Sequence, residues 1–183
     1  AGSSILDIYN KGADSAEISY KDDNSPLTKA DKTSNDVICK ALKELTPSIP
    51  VLSEEGKEID YNDRKHWNKF WLIDPLDGTK EFINRNGEFT VNIALIENGA
   101  PVLGVVYAPV IDITWFGTAE QGSFKSENND NPELIKVNIP NDKSTIKIVS
   151  SRSHSNNPKL EDYLNKFNQY ELVKMGSSIK ICL

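Results

Sequence analysis

One nonapeptide constrains this chain more than any other feature: WLIDPLDGT, from Trp71 to Thr79. Phe70 to Ile73 reads as a short apolar strand that delivers Asp74. Pro75 lacks an N–H and restricts the turn, and Asp77 follows three residues after Asp74. Two carboxylates so placed are close enough to share a metal pair. The Leu76 carbonyl can point the same way, and hard oxygen ligands of this kind suit Mg²⁺. Gly78 allows close backbone approach. A helix starting after it would face a bound phosphate with its free N–H groups. A bare Asp-Pro-x-Asp favours a plain turn with capping carboxylates; the strand before it and Gly-Thr after it reverse that preference.

Around this motif the chain alternates helix and strand signals. The first segment, about residues 1–14, reads as a helix with Ile5, Leu6, Ile8 and Tyr9 on one side, and residues 18–30 as polar and extended. Asp31 to Leu45 puts Val37, Ile38, Ala41, Leu42 and Leu45 at helical spacing, and Pro47 and Pro50 stop it. Val51 and Leu52 begin a short strand ending in Ser53-Glu54-Glu55, and residues 56–69 form a charged surface loop. Thr90–Ile96 and Val102–Tyr107 flank Asn98-Gly99, a strong hairpin signal. Ile111–Phe116 and Gly122–Lys125 continue the meander, and residues 128–132 are a loop. After about residue 142 the pattern becomes strand (145–150), helix (158–167), strand (170–174) and a turn at Met175–Ser178 into a further helix. The expectation is an α+β unit, residues 1–142, followed by the start of an α/β unit, residues 143–183.

Composition narrows the function. The net charge of -6 gives no reason to expect a nucleic-acid binder, whereas an acidic chain can hold a phosphate ester through intervening metal ions. No apolar run reaches the ~20 residues of a membrane helix, and the N-terminal residues lack the pattern of a signal peptide. Cys39 and Cys182 show no CxxC pattern; two reduced thiols are favoured over a lone disulfide.

The nonapeptide resembles the signature of the inositol monophosphatase superfamily, and the resemblance runs over nearly the whole chain. It implies a layered α-β-α-β-α sandwich whose C-terminal part is incomplete here. It implies metal ligation by Glu54 of the SEE at 53–55, by Asp74, by the Leu76 carbonyl and by Asp77, with Mg²⁺ as the cofactor. Asp31, in PLTKAD, matches an aspartate that pairs with the threonine corresponding to Thr79; together they orient and activate the attacking water. Standing alone, Asp31 reads equally as a helix cap and Glu54 as a surface acid. The family's last metal ligand, an aspartate in a Trp-Asp pair, falls beyond Leu183, so the sequence reads as part of a longer protein.

Within the superfamily, KDDNSPLTKAD (21–31), DGTKEFINRNGEFTVNIALI (77–96), SRSH (151–154) and GSSIKIC (176–182) resemble the 3'(2'),5'-bisphosphate nucleotidase branch. That branch implies a nucleotide bisphosphate, adenosine 3',5'-bisphosphate, as the small-molecule partner, with its sulfated analogue as a second substrate. The setting would be removal of a by-product of sulfate assimilation. Substrate contacts are expected from Glu54, Leu76, Asp77, Gly78 and Thr79, and from Ser177 and Lys180 of the last motif. Arg152 and His154 are placed near the nucleoside, with a solvated loop as the alternative. The resemblance also implies lithium sensitivity and a cytoplasmic setting, with peripheral attachment to the inner face of the cell membrane left open. Three other readings compete with it. An aspartyl-nucleophile phosphatase is disfavoured because its DxDGT sets the aspartates two apart. An inositol or sugar phosphatase of the same superfamily is disfavoured by Lys80 and Lys180. A non-catalytic metal- and anion-binding protein has as its only support that the distal metal ligand is missing from this sequence.

Overall fold

The computed structural model describes residues 1–137, 145–152 and 158–183. Its centre is a seven-stranded mixed sheet in the order β3-β4-β5-β6-β7-β8-β9. The strands are β3 (Val51–Ser53), β4 (Lys69–Asp77), β5 (Thr90–Glu97), β6 (Ala100–Ala108), β7 (Ile113–Thr118), β8 (Gly122–Glu127) and β9 (Glu133–Ile135). β3 and β4 are parallel, and every later pair is antiparallel. The turn between β5 and β6 is the Asn98-Gly99 pair, both at positive φ (51° and 79°), which matches the right-handed twist of a two-residue hairpin.

Helices α1 (Gly2–Tyr9) and α2 (Lys29–Leu45) pack against each other, and α2 against β4. Ile5, Ile8, Ala30, Ile38 and Leu42 from the helices meet Trp71, Ile73, Leu76 and Val91 from the sheet in one core. The apolar stripe of α2 is narrower than its spacing implied: Val37 and Leu45 are exposed. A 3-10 turn (Ala13–Ala16) replaces the last part of the expected first helix. The polar segment after it folds into a two-stranded ribbon, β1 (Ser19–Tyr20) and β2 (Pro26–Leu27), and the loop at 56–69 contains one helical turn, α3 (Tyr61–Arg64).

β4 carries an irregularity that places the site. Asp74 lies opposite Asn92 and Asp77 opposite Thr90, with a shift in register between the two pairs. Three residues separate the β4 partners in step and two the β5 partners, so β4 holds one extra residue, at Pro75-Leu76. Side chains alternate faces along a strand, and an odd offset would put Asp74 and Asp77 on opposite sides. The extra residue returns both to the face shared by Asn92 and Thr90. Pro75 suits the bulge because it has no N–H to contribute to a ladder, and its carbonyl instead accepts Ser34 Oγ of α2 at 2.7 Å.

A separate two-stranded sheet is a parallel pair, β10 (Ile146–Ser151) and β11 (Tyr170–Met175), with α5 (Pro158–Leu164) between them in the chain, as a parallel connection requires. The boundary expected near residue 142 lies outside the described residues. β11 leads into α6 (Ile179–Cys182), whose Ile179 is buried with Ala108 and Trp115 of the sheet. The fold is therefore α+β, a mixed sheet flanked by helices. Among the described residues, no helix is long and apolar enough to cross a membrane, and Cys39 and Cys182 are both free thiols.

Candidate active site

The strand-to-helix turn after β4 is the hub. Gly78 sits at φ +98°, and a Cβ there would come within 3.0 Å of the Glu88 carbonyl and 3.2 Å of Ser177 Cβ, so both the conformation and the space favour glycine. α4 (Thr79–Ile83) starts directly after it. The helix is pinned from behind by an aromatic cluster of Tyr9, Phe82 and Phe89, with ring centroids 5.1–5.3 Å apart. Arg85 lies over the Tyr9 ring and donates to the Tyr9 carbonyl at 2.6 Å.

This packing brings Thr79 to Asp31. Thr79 Oγ1 donates to Asp31 Oδ1 at 3.1 Å. The other oxygen, Oδ2, accepts the Thr28 N–H at 2.8 Å and the Thr28 hydroxyl, the tie of a helix-starting box. Asp31 thus makes the helix-cap bonds with one oxygen and the pairing with Thr79 with the other. Asp31 is 1% exposed. Burial pushes its carboxyl above the usual carboxylate range, against the lowering pull of the Thr28 and Thr79 hydrogen bonds.

Asp74 is pushed further, up to about 7, first by burial and then by the negative charges of Glu54 and Asp77. Like charges gathered in a poorly hydrated place disfavour ionisation. Among the described residues, no three acidic, His or Cys side chains close on one point as a ready-formed cage. Instead Glu54 Oε1 accepts Lys21 Nζ at 2.9 Å, and the same ammonium reaches Glu55 Oε1 at 2.5 Å. The mutual repulsion of Glu54, Asp74 and Asp77 is relieved by a cation, and their all-oxygen set suits a hard divalent one; the residues present fit such an ion.

Asp77 Oδ2 receives the Ser178 hydroxyl and, at 3.4 Å, Asn92 Nδ2, which also reaches Ser178 Oγ at 2.9 Å. Asn92 Oδ1 and Thr90 Oγ1 are buried with no protein partner among the described residues. Of the two serines in the last motif, Ser178 is the one that bonds to Asp77. Ser177 is buried at φ 47°, its hydroxyl 3.4 Å from the Ile179 N–H. Lys180 Nζ donates to the Ser177 carbonyl. Arg152, directly after β10, grips Glu88 and the Lys174 carbonyl; His154 lies outside the described residues. Asn92, Ser178, Lys21 and Glu88 were not among the expected site residues. A signal existed for Asn92, a polar residue in the otherwise apolar TVNIALI.

A family model described as the inositol monophosphatase family matches residues 1–183. The chain belongs to this family. It is 48% identical to the 3'(2'),5'-bisphosphate nucleotidase CysQ of Salmonella typhimurium over 183 residues, all of this chain and 71% of that protein. It is 46% identical to the protein of the same name from Escherichia coli O157:H7 over 186 residues, again 71% of that protein. The crystal structure of CysQ from Bacteroides thetaiotaomicron superposes with a TM-score of 0.81 at 40% identity, covering all of this chain and 70% of that one. The extragenic suppressor protein suhB from Bartonella henselae gives 0.78 at 25% identity, covering 97% and 66%. Within the inositol monophosphatase family the chain is therefore closely related to the CysQ proteins.

Proposed function

We propose that the protein is a Mg²⁺-dependent phosphomonoesterase that converts adenosine 3',5'-bisphosphate to AMP and phosphate. The observation that carries the chemistry is the Thr79–Asp31 hydrogen bond beside the Asp74 and Asp77 carboxylates. Thr79 gives its proton to Asp31, which leaves the lone pairs of Oγ1 to accept a hydrogen bond from a water and aim its oxygen at phosphorus. Asp31, a stronger base than an ordinary carboxylate because it is buried, takes up the proton through Thr79. The new O–P bond forms as the ester P–O bond breaks, and the leaving oxygen takes a proton from solvent water to become the 3'-hydroxyl. Glu54, Asp74, the Leu76 carbonyl and Asp77 would hold Mg²⁺, which would supply positive charge to acidify the water and stabilise the leaving oxygen.

The substrate is drawn from the CysQ relatives, with Ser177 and Lys180 as the contacts to its second phosphate and Arg152 and His154 towards the nucleoside. The 3'-phosphate of the sulfated analogue is the second substrate of this reading. Hydrolysis of an inositol phosphate is the competing reading, favoured by the likeness to the inositol monophosphatase of Anabaena at 26% identity and a TM-score of 0.71. A substrate panel decides between them. Adenosine 3',5'-bisphosphate should exceed inositol 1-phosphate by at least ~100-fold in kcat/KM, because only the nucleotide brings a second anion whose binding energy can be used. Equal rates would overturn the nucleotide reading.

A further inference from the structure

Glu88 stands between α4 and β5, in neither the carboxylate strand nor the Thr79–Asp31 pair, yet it collects the other half of the molecule. Its Oε2 accepts the Gly176 N–H at 2.7 Å and Arg152 Nε at 2.9 Å, and its Oε1 accepts Arg152 Nη2. Arg152 in turn donates Nη2 to the Lys174 carbonyl at 2.9 Å and its backbone N–H to the Met175 carbonyl at 3.3 Å. One side chain therefore holds the end of β10 and the exit of β11 together. The backbones are also close: a Cβ on Gly176 would stand 2.9 Å from the Glu88 carbonyl and 2.5 Å from Glu81 Cγ.

The segment gripped in this way is the one that reaches the candidate metal ligands. Two residues after Gly176, the Ser178 hydroxyl bonds to Asp77. Two residues further on, Lys180 turns its ammonium back to the Ser177 carbonyl. The Glu88 side chain is only 17% exposed. Burial alone would raise its carboxyl, but Arg152 and the Gly176 N–H outweigh burial and hold it below the usual range. A charged bidentate pair plus a backbone donor is directional and stiff, which suits a part that sets distance.

We propose that Glu88 is a positioning residue: it fixes the Gly176–Lys180 segment relative to Asp77, and so sets the spacing between the phosphoryl group being cleaved and the second phosphate. This inference rests on the proposed nucleotidase reading. Glu88 touches no substrate atom in this scheme and acts through Gly176 and Lys180. A shift of about 1 Å in such a segment is enough to cost ~100-fold in rate for a substrate held at both ends. A substrate held at one end does not sense the separation.

The test compares adenosine 3',5'-bisphosphate with adenosine 3'-phosphate, which shares the reacting centre and lacks the second anion. In the parent and in Glu88→Ala and Glu88→Gln, kcat and KM are measured for both. The expected result is a ~10–100-fold loss in kcat/KM for the bisphosphate in Glu88→Ala, a smaller loss in Glu88→Gln, and a change within ~threefold for the monophosphate. Glu88→Gln keeps an oxygen for the Gly176 N–H, so it carries the test if the alanine variant does not fold. A double-mutant cycle with Lys180→Ala should be strongly non-additive, because Glu88 acts through that lysine's segment. Equal losses on both substrates, no loss on either, or additivity in the cycle would overturn the inference while leaving the nucleotidase reading standing. A parent protein with no preference for the bisphosphate would overturn both.

Discussion

Thr79 Oγ1 and Asp31 Oδ1 are joined by a 3.1 Å hydrogen bond across 48 positions of sequence. The bond ties the first residue of α4 to the first turn of α2 and leaves Thr79 with no other proton to give. Thr79→Ala should lower kcat by ~100-fold or more, the usual scale for a lost proton-transfer partner, with KM changed little. Thr79→Ser, which keeps the hydroxyl, should recover most of the rate. Steady-state kinetics separates the outcomes: a change confined to KM would move Thr79 from water activation to substrate binding.

Asp77→Asn should remove turnover without unfolding the protein. An asparagine oxygen can still accept the Ser178 hydroxyl, so the packing survives while one negative charge is lost. A ~100-fold drop in kcat, or ~2.7 kcal/mol of barrier, is the minimum expected. Titration calorimetry with Mg²⁺ should show weakened binding in the same variant, and circular dichroism should be unchanged. Parent-like Mg²⁺ binding would remove Asp77 from the ligand set.

Lys180→Ala should cost the bisphosphate ~1.5–3 kcal/mol in kcat/KM, the range for hydrogen bonds to charged groups. Hydrolysis of a simple monophosphate should be nearly untouched. The ammonium lies at the start of α6, bonded to the Ser177 carbonyl, an acceptor it would exchange for the phosphate. Losses of equal size on both substrates would show that Lys180 does not read the second phosphate.

The Glu88 latch makes a prediction about acid. Its carboxyl is held below the ordinary value of 4.5 by Arg152 and the Gly176 N–H, overcoming burial. A group with a depressed folded pKa contributes stability that is present above its unfolded pKa and is lost as pH falls through the folded one. The stability difference between the parent and Glu88→Gln should therefore be constant above about pH 5 and shrink below about pH 4.5. Thermal unfolding across pH 3 to 7 gives the curve. A difference that grows as the pH falls would contradict the latch.

Much of the site was legible because its signals are local. The apolar run ahead of Asp74, the proline, the Gly-Thr pair and the Asn98-Gly99 turn each declare themselves within a few residues. What stayed hidden depends on partners far away. Arg152 meets Glu88 across 64 positions and Gly176 meets it across 88, and no periodicity encodes such a meeting. β9 was missed because its three residues are too few for an alternation to show. Ser178 lies within the GSSIKIC motif, yet its bond to Asp77 exists only once β11 is docked. Lys21 sat inside a quoted motif, but its grip on Glu54 and Glu55 is a property of the β1–β2 ribbon, which is too short to announce itself.

The extra residue in β4 makes the site depend on counting as well as on chemistry. With Asp74 and Asp77 matched to Asn92 and Thr90, deleting either Pro75 or Leu76 would leave the two carboxylates two residues apart and still on one face, but it would remove the bulge and the backbone carbonyl that the extra residue sets free of the ladder. Inserting one residue would set four steps against two and force a second unpaired residue into the strand. Two changes of opposite sign in the same turn would restore the arrangement. The turn should thus tolerate an apolar replacement of similar size at Leu76, whose side chain is buried in the core and whose backbone faces the site, better than a change in its length.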